Sequence, residues 1–115
     1  MIQLRVSSKS EKQILEIAEL LIKGHYAIDL NLLPNHKRVT LENGKIAYHD
    51  LFLLTGKTKG LLFTAIDNLL NEKYPVDLPE IYSLPIVHMD WEQSKQLVQE
   101  IKQVQLNPNL QPIYQ

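Results

Sequence analysis

The sequence predicts an α+β sandwich of order βαββαβ, and three observations lead to it. Two helical stripes each lie between strand-like runs. An Asn43-Gly44 turn joins two long extended segments into a hairpin. Prolines 79 and 85 bracket the last strand-like run, Pro79-Glu80-Ile81-Tyr82-Ser83-Leu84-Pro85-Ile86. Proline has no N–H to give to a ladder, so that strand must be an edge.

Each element follows from local pattern. Ile2, Leu4 and Val6 alternate with Gln3, Arg5 and Ser7, the period of a half-buried strand. Ser8 with Glu11, or Ser10 with Gln13, forms a capping box that starts a helix. Its apolar stripe is Ile14, Ile17, Ala18 and Leu21, widened by Leu15, Leu20 and Ile22. Gly24 is expected to close that helix with a positive φ. Tyr26 to Leu33 is extended, with Asp29 and Asn31 alternating against Ile28, Leu30 and Leu32. Pro34-Asn35 breaks or bulges it before Lys37 to Leu41 resumes. Glu42-Asn43-Gly44-Lys45 has the chemistry of a type I′ turn. Ile46 to Thr55 returns, and the run Leu51-Phe52-Leu53-Leu54 suits a central strand. Arms of roughly ten residues would reach about 33 Å, too far for one small core to cover.

A second helix is expected from about Lys59 to Lys73, burying Leu62, Ala65, Ile66, Leu69 and Leu70. Tyr74-Pro75 ends it, because the residue before proline is pushed out of helical geometry. Asp90 with Gln93 caps a third helix with the stripe Leu97, Val98, Ile101 and Val104. Residues 105–115 read as an irregular tail that docks through Leu110, Ile113 and Tyr114. Each of the first two helices is a right-handed crossover between parallel strands. The closed solution is a ferredoxin-like sandwich: a four-stranded antiparallel sheet in the order 4-1-3-2, helices on one face, and an added C-terminal helix.

Composition bounds the chemistry. A chain of 115 residues, 44% hydrophobic, is expected to form one domain, 1–115. A formal net charge of −1 gives no broad attraction to nucleic acid or to anionic membranes. The absence of cysteine removes disulfides, thiolate metal ligands and thiol nucleophiles. The N-terminus lacks the pattern of a secretory leader, and no segment nears the ~20 apolar residues of a membrane span. The expectation is a cytoplasmic protein.

Several blocks together resemble the CutA family, the divalent-cation-tolerance proteins. They are Ala27-Ile28-Asp29-Leu30-Asn31-Leu32-Leu33-Pro34, Gly44-Lys45, Lys57-Thr58, Tyr74-Pro75-Val76-Asp77-Leu78-Pro79-Glu80-Ile81 and Tyr82-Ser83-Leu84-Pro85-Ile86. They align without gaps from Ala18 to Ile86. The resemblance implies a homotrimer whose long hairpins pair between subunits. It also shows departures. Asp29 stands where the family has cysteine, Tyr74 where it has histidine, Val76 where it has tyrosine, and Thr40-Leu41 where it has tyrosine-tryptophan. Copper has been associated with the family through that cysteine and histidine, and their loss argues against copper here.

The candidate residues each have a plain alternative. Asp29, Asp77 and Glu80 could gather as oxygen ligands for a hard divalent cation such as Mg²⁺, Ca²⁺ or Mn²⁺. Alternatively, Asp29 is a strand residue paired with a lysine or with backbone. Gly56-Lys57-Thr58 resembles the end of a P-loop, but Leu51 stands where the first glycine is required. A milder possibility is that Lys57, Thr58 and Lys59 flank a helix N-terminus that favours an anion. Tyr74 joins Lys57 and Thr58 as a ligand-binding candidate. His25, His36, His49 and His88 show no metal-binding spacing, although His36 and His49 fall on neighbouring hairpin strands. Ser7, Ser8, Ser10, Ser83 and Ser94 read as caps or strand residues, not nucleophiles. Trp91 reads as a helix-start packing residue.

The expected function is non-enzymatic binding of a cation or small ligand in clefts between the subunits of a CutA-like trimer. A PII-like signalling protein that senses an anionic metabolite or nucleotide is the alternative from another class. A trimer that is purely structural is a third.

Overall fold

A computed structural model of the chain describes residues 1–102. The strands are β1 (Ile2–Ser8), β2 (Ile28–Glu42), β3 (Lys45–Thr58) and β4 (Glu80–Pro85). The helices are α1 (Glu11–Lys23), α2 (Phe63–Lys73), which follows a 3₁₀ turn at Gly60–Leu62, and α3 (Trp91–Glu100). The sheet order is β2-β3-β1-β4, the expected 4-1-3-2 read from its other edge. All neighbours are antiparallel, so α1 and α2 each link parallel strands. β4 pairs only with β1, and Pro85 lies opposite Ile2 at the edge.

The core is the layer between the helices and one face of the sheet. Leu4 and Val6 of β1 meet Ile14, Ile17 and Leu21 of α1 and Leu62, Ile66 and Leu70 from the second crossover. Each side chain of that size contributes about 1.5–3 kcal/mol when fully buried. The stripes are narrower than their sequence suggests. Leu15 and Ile22 of α1 face solvent, and Ala65 of α2 is exposed. α3 docks through Leu97 and Ile101, leaves Val98 exposed, and ends at Glu100. Val104 and the tail lie outside the described residues.

The helix ends show which capping chemistry operates. Ser10 is the N-cap of α1 and accepts from the Gln13 N–H at 3.1 Å. Ser8 adds a brace by accepting from the Ser10 N–H at 3.0 Å. Asp90 caps α3 by accepting from the Gln93 N–H at 3.0 Å. Gly24 departs from expectation: its φ is −81°, and the left-handed turn falls on His25, with φ 59°. Glycine is required at 24 by space, since a Cβ there would lie 2.7 Å from the Tyr26 ring and 2.9 Å from the Leu20 carbonyl.

β2 and β3 outrun the rest of the sheet. β1 reaches β3 only from Phe52 to Thr58, so Lys45 to Leu51 pairs with β2 alone. At about 3.4 Å per residue this seven-residue ribbon extends roughly 24 Å, within a long molecular dimension of 50 Å. Its tip is the turn read from the sequence: Asn43 and Gly44 both have positive φ, 53° and 77°. Two register shifts bend β2. One falls between Leu33 and His36, at Pro34-Asn35; the other falls between Ile28 and Asn31, where Asp29 takes φ 51°.

Candidate functional site

The six candidate residues fall at two ends of the sheet. Asp29 lies in the first bulge of β2, beside Ile28, whose register partner is Lys57. Its carboxylate faces the Lys57 ammonium at 3.4 Å, and Lys57 also donates to the Gln93 side chain of α3 at 2.8 Å. The strand-residue alternative for Asp29 therefore describes its contacts. The pair is partly exposed, which limits its worth to about 0–1 kcal/mol.

Thr58 and its neighbours correct the anion-site expectation. β3 continues through Thr58, which pairs with Ile2, so Lys57 and Thr58 are strand residues and not a helix start. α2 begins only at Phe63, after the 3₁₀ turn. The Thr58 side chain is fully buried and donates to the Tyr26 carbonyl at 2.6 Å. Pairing with β1 prevails over the local Lys-Thr-Lys pattern, and the helix-terminus basis for anion binding goes with it.

At the other end, Arg38 of the ribbon reaches across the end of β1 to Glu80 of β4. It makes a forked pair with contacts of 2.8 and 3.2 Å. Beside it opens a cleft of about 560 Å³, whose walls include Lys12, Glu16, Arg38, Tyr74, Asp77 and Glu80. The Asp77 carbonyl accepts from the Gln13 side chain at 2.5 Å, which ties the α2–β4 connection to α1. The Tyr74 hydroxyl is screened from solvent and has no hydrogen-bond partner. Burial first, then the negative Glu16 carboxylate nearby, push its pKa above the ordinary 10.0.

The three carboxylates do not meet within one chain. Ile28, next to Asp29, is in register with Lys57, Gln3 and Leu84, whereas Glu80 is in register with Ser7 and Leu53. Four residues along the strands and three strand spacings across put them on the order of 20 Å apart. The described residues hold no cluster of three or more His, Asp or Glu able to take a metal. His49 turns instead to Glu42, at 3.1 Å. The Arg38–Glu80 fork and the Lys57–Gln93 bond were invisible in the sequence, because their partners lie far apart in the chain and no local pattern marks them.

The ribbon carries the other notable surface. Val39 pairs with Tyr48 and Leu41 with Ile46, so all four share one face. Their exposures are 57%, 64%, 70% and 59%. That face continues the side of β3 that carries Phe52 and Leu54 toward the helices, beyond the point where helices cover it.

Comparison with known proteins fits this architecture. The pattern of the CutA1 divalent ion tolerance protein family matches residues 2–103. The chain belongs to that family. Among solved structures, the divalent cation tolerance protein of Thermus thermophilus is similar with a TM-score of 0.76 and 23% identity, over 89% of this chain and 100% of that one. CutA1 of Oryza sativa gives 0.78 and 22%, over 90% and 94%. The protein from Archaeoglobus fulgidus, described as a periplasmic divalent cation tolerance protein, gives 0.75 and 20%, over 89% and 100%. A search of curated protein sequences finds no significant match. For a member of the CutA1 family the donor set is unusual. With no cysteine in the chain and its carboxylates dispersed or ion-paired, one subunit does not offer a fitted cation site.

Proposed function

We propose that this CutA1-family protein is a non-enzymatic homotrimer that serves divalent cation tolerance by binding a cation or small ligand in clefts between subunits. The observation that carries the proposal is the bare apolar face of the ribbon. Val39, Leu41, Ile46 and Tyr48 form a contiguous patch on a two-stranded arm that the subunit's own core does not cover. Exposed apolar patches of this kind mark association surfaces, and a lone two-stranded ribbon gains little stability by itself. Leu33, Tyr82 and Leu84 add further exposed apolar surface on the sheet. The count of three rests on the resemblance to the CutA family.

A cation in such a trimer would need oxygen donors pooled from two subunits, because Asp29 is separated from Asp77 and Glu80 within one. Asp29 and Lys57 would then serve as the polar pair at one end of the cleft. Native mass spectrometry of the purified protein tests the assembly: a three-subunit mass is expected, and a monomer at micromolar concentration would overturn it. Calorimetric titration with Mg²⁺, Ca²⁺ and Mn²⁺ tests the ion. Binding that Asp29→Ala abolishes is expected, and silence with all three removes the cation and leaves a small ligand.

A further inference from the structure

We propose that the cleft at the base of the ribbon, owned by a single subunit, is a binding site for a small zwitterion: a free amino acid or a short peptide. It is distinct from the intersubunit clefts and does not depend on assembly. The cleft's volume, about 560 Å³, is in the range of small-molecule sites. Its walls come from four places in the fold: the first turns of α1, the end of β1, the α2–β4 connection and Arg38 of the ribbon.

The charges on those walls are balanced and divided. Arg38 and Glu80 satisfy each other. Among the described residues, Lys12 on one wall and Asp77 on the other have no ion-pair partner. A ligand of one sign would satisfy one wall and be repelled by the other. A ligand bearing both a carboxylate and an ammonium would satisfy Lys12 and Asp77 together. The Tyr74 hydroxyl, screened from water and unpartnered, is a donor that would be met by an acceptor on the same ligand. A site built to pair a polar group rejects analogues that lack the matching group.

The test is calorimetric titration of the full chain with glutamine and with triglycine, as probes for an amino acid and for a peptide. N-acetylglutamine, which lacks the ammonium, and glutamine amide, which lacks the carboxylate, are the controls. At least one zwitterion is expected to bind, with the blocked forms weaker by about tenfold or more. Lys12 and Asp77 are exposed, so Lys12→Gln and Asp77→Asn should leave the fold intact and each weaken binding by about tenfold. Tyr74→Phe should weaken it too. Failure of both zwitterions to bind overturns the proposal. So does equal affinity for the blocked forms, or affinity unchanged in both charge variants. None of these outcomes bears on whether three subunits assemble.

Discussion

Thr58 shows how one side chain can be misjudged from its neighbours. In the sequence it follows Gly56-Lys57 and suggests phosphate chemistry; in the fold its hydroxyl sits in the core and closes on the Tyr26 carbonyl at 2.6 Å. That bond joins the start of β2 to the end of β3. Thr58→Val keeps the shape but strands the carbonyl, so a loss of about 1–3 kcal/mol is expected in urea unfolding. Thr58→Ser should recover most of it. Tyr74 carries a different consequence. Its phenol has a raised pKa, so the folded state holds the proton more tightly than the unfolded chain does. Its share of stability is complete below the ordinary value of 10.0 and is lost as pH rises through the folded value. Thermal unfolding across the alkaline range should therefore show a shallower decline for Tyr74→Phe than for the parent. Equal slopes would count against the burial of that hydroxyl.

At the scale of elements, most of the architecture was legible in the sequence. The order of strands and helices, the Asn43-Gly44 turn and the edge position of β4 all follow from period, turn chemistry and proline. The bend at Pro34-Asn35 was legible for the same reason. The bulge at Asp29 was not, because aspartate alternating with leucine looks like a regular strand. Only pairing with β3 exposes the extra residue. The end of β3 was placed too early, since glycine, lysine and threonine are turn and cap residues by preference. The two-sided ladder of a central strand overrides such preferences. The candidate site fared less well than the fold. A hairpin's long reach can be counted along a sequence, but the meeting of Arg38 with Glu80, or of Lys57 with Gln93, depends on three-dimensional placement.

The ribbon gives the clearest prediction at this scale. Charges on its apolar face should oppose association without touching the core. The double variant Leu41→Glu with Tyr48→Lys places both substitutions on side chains that are already mostly exposed. Its circular dichroism should match that of the parent, while native mass spectrometry should show the lone subunit. A double variant that remains fully assembled would remove the ribbon face from the interface.

For the whole molecule, the two edges of the sheet are unlike. β2 is 15 residues long and joins the projecting ribbon, whereas β4 is a 6-residue strand. The Ile86 N–H donates inward to the Met1 carbonyl at 3.1 Å. By alternation, the neighbouring Pro85 turns its donor-less nitrogen outward. An approaching strand would find a rung missing there and only a short rail on which to settle. Polymerisation edge to edge through β4 is thereby discouraged. A sheet that can recruit partners along one margin but not the other tends toward closed rings of fixed number rather than fibres of unlimited length.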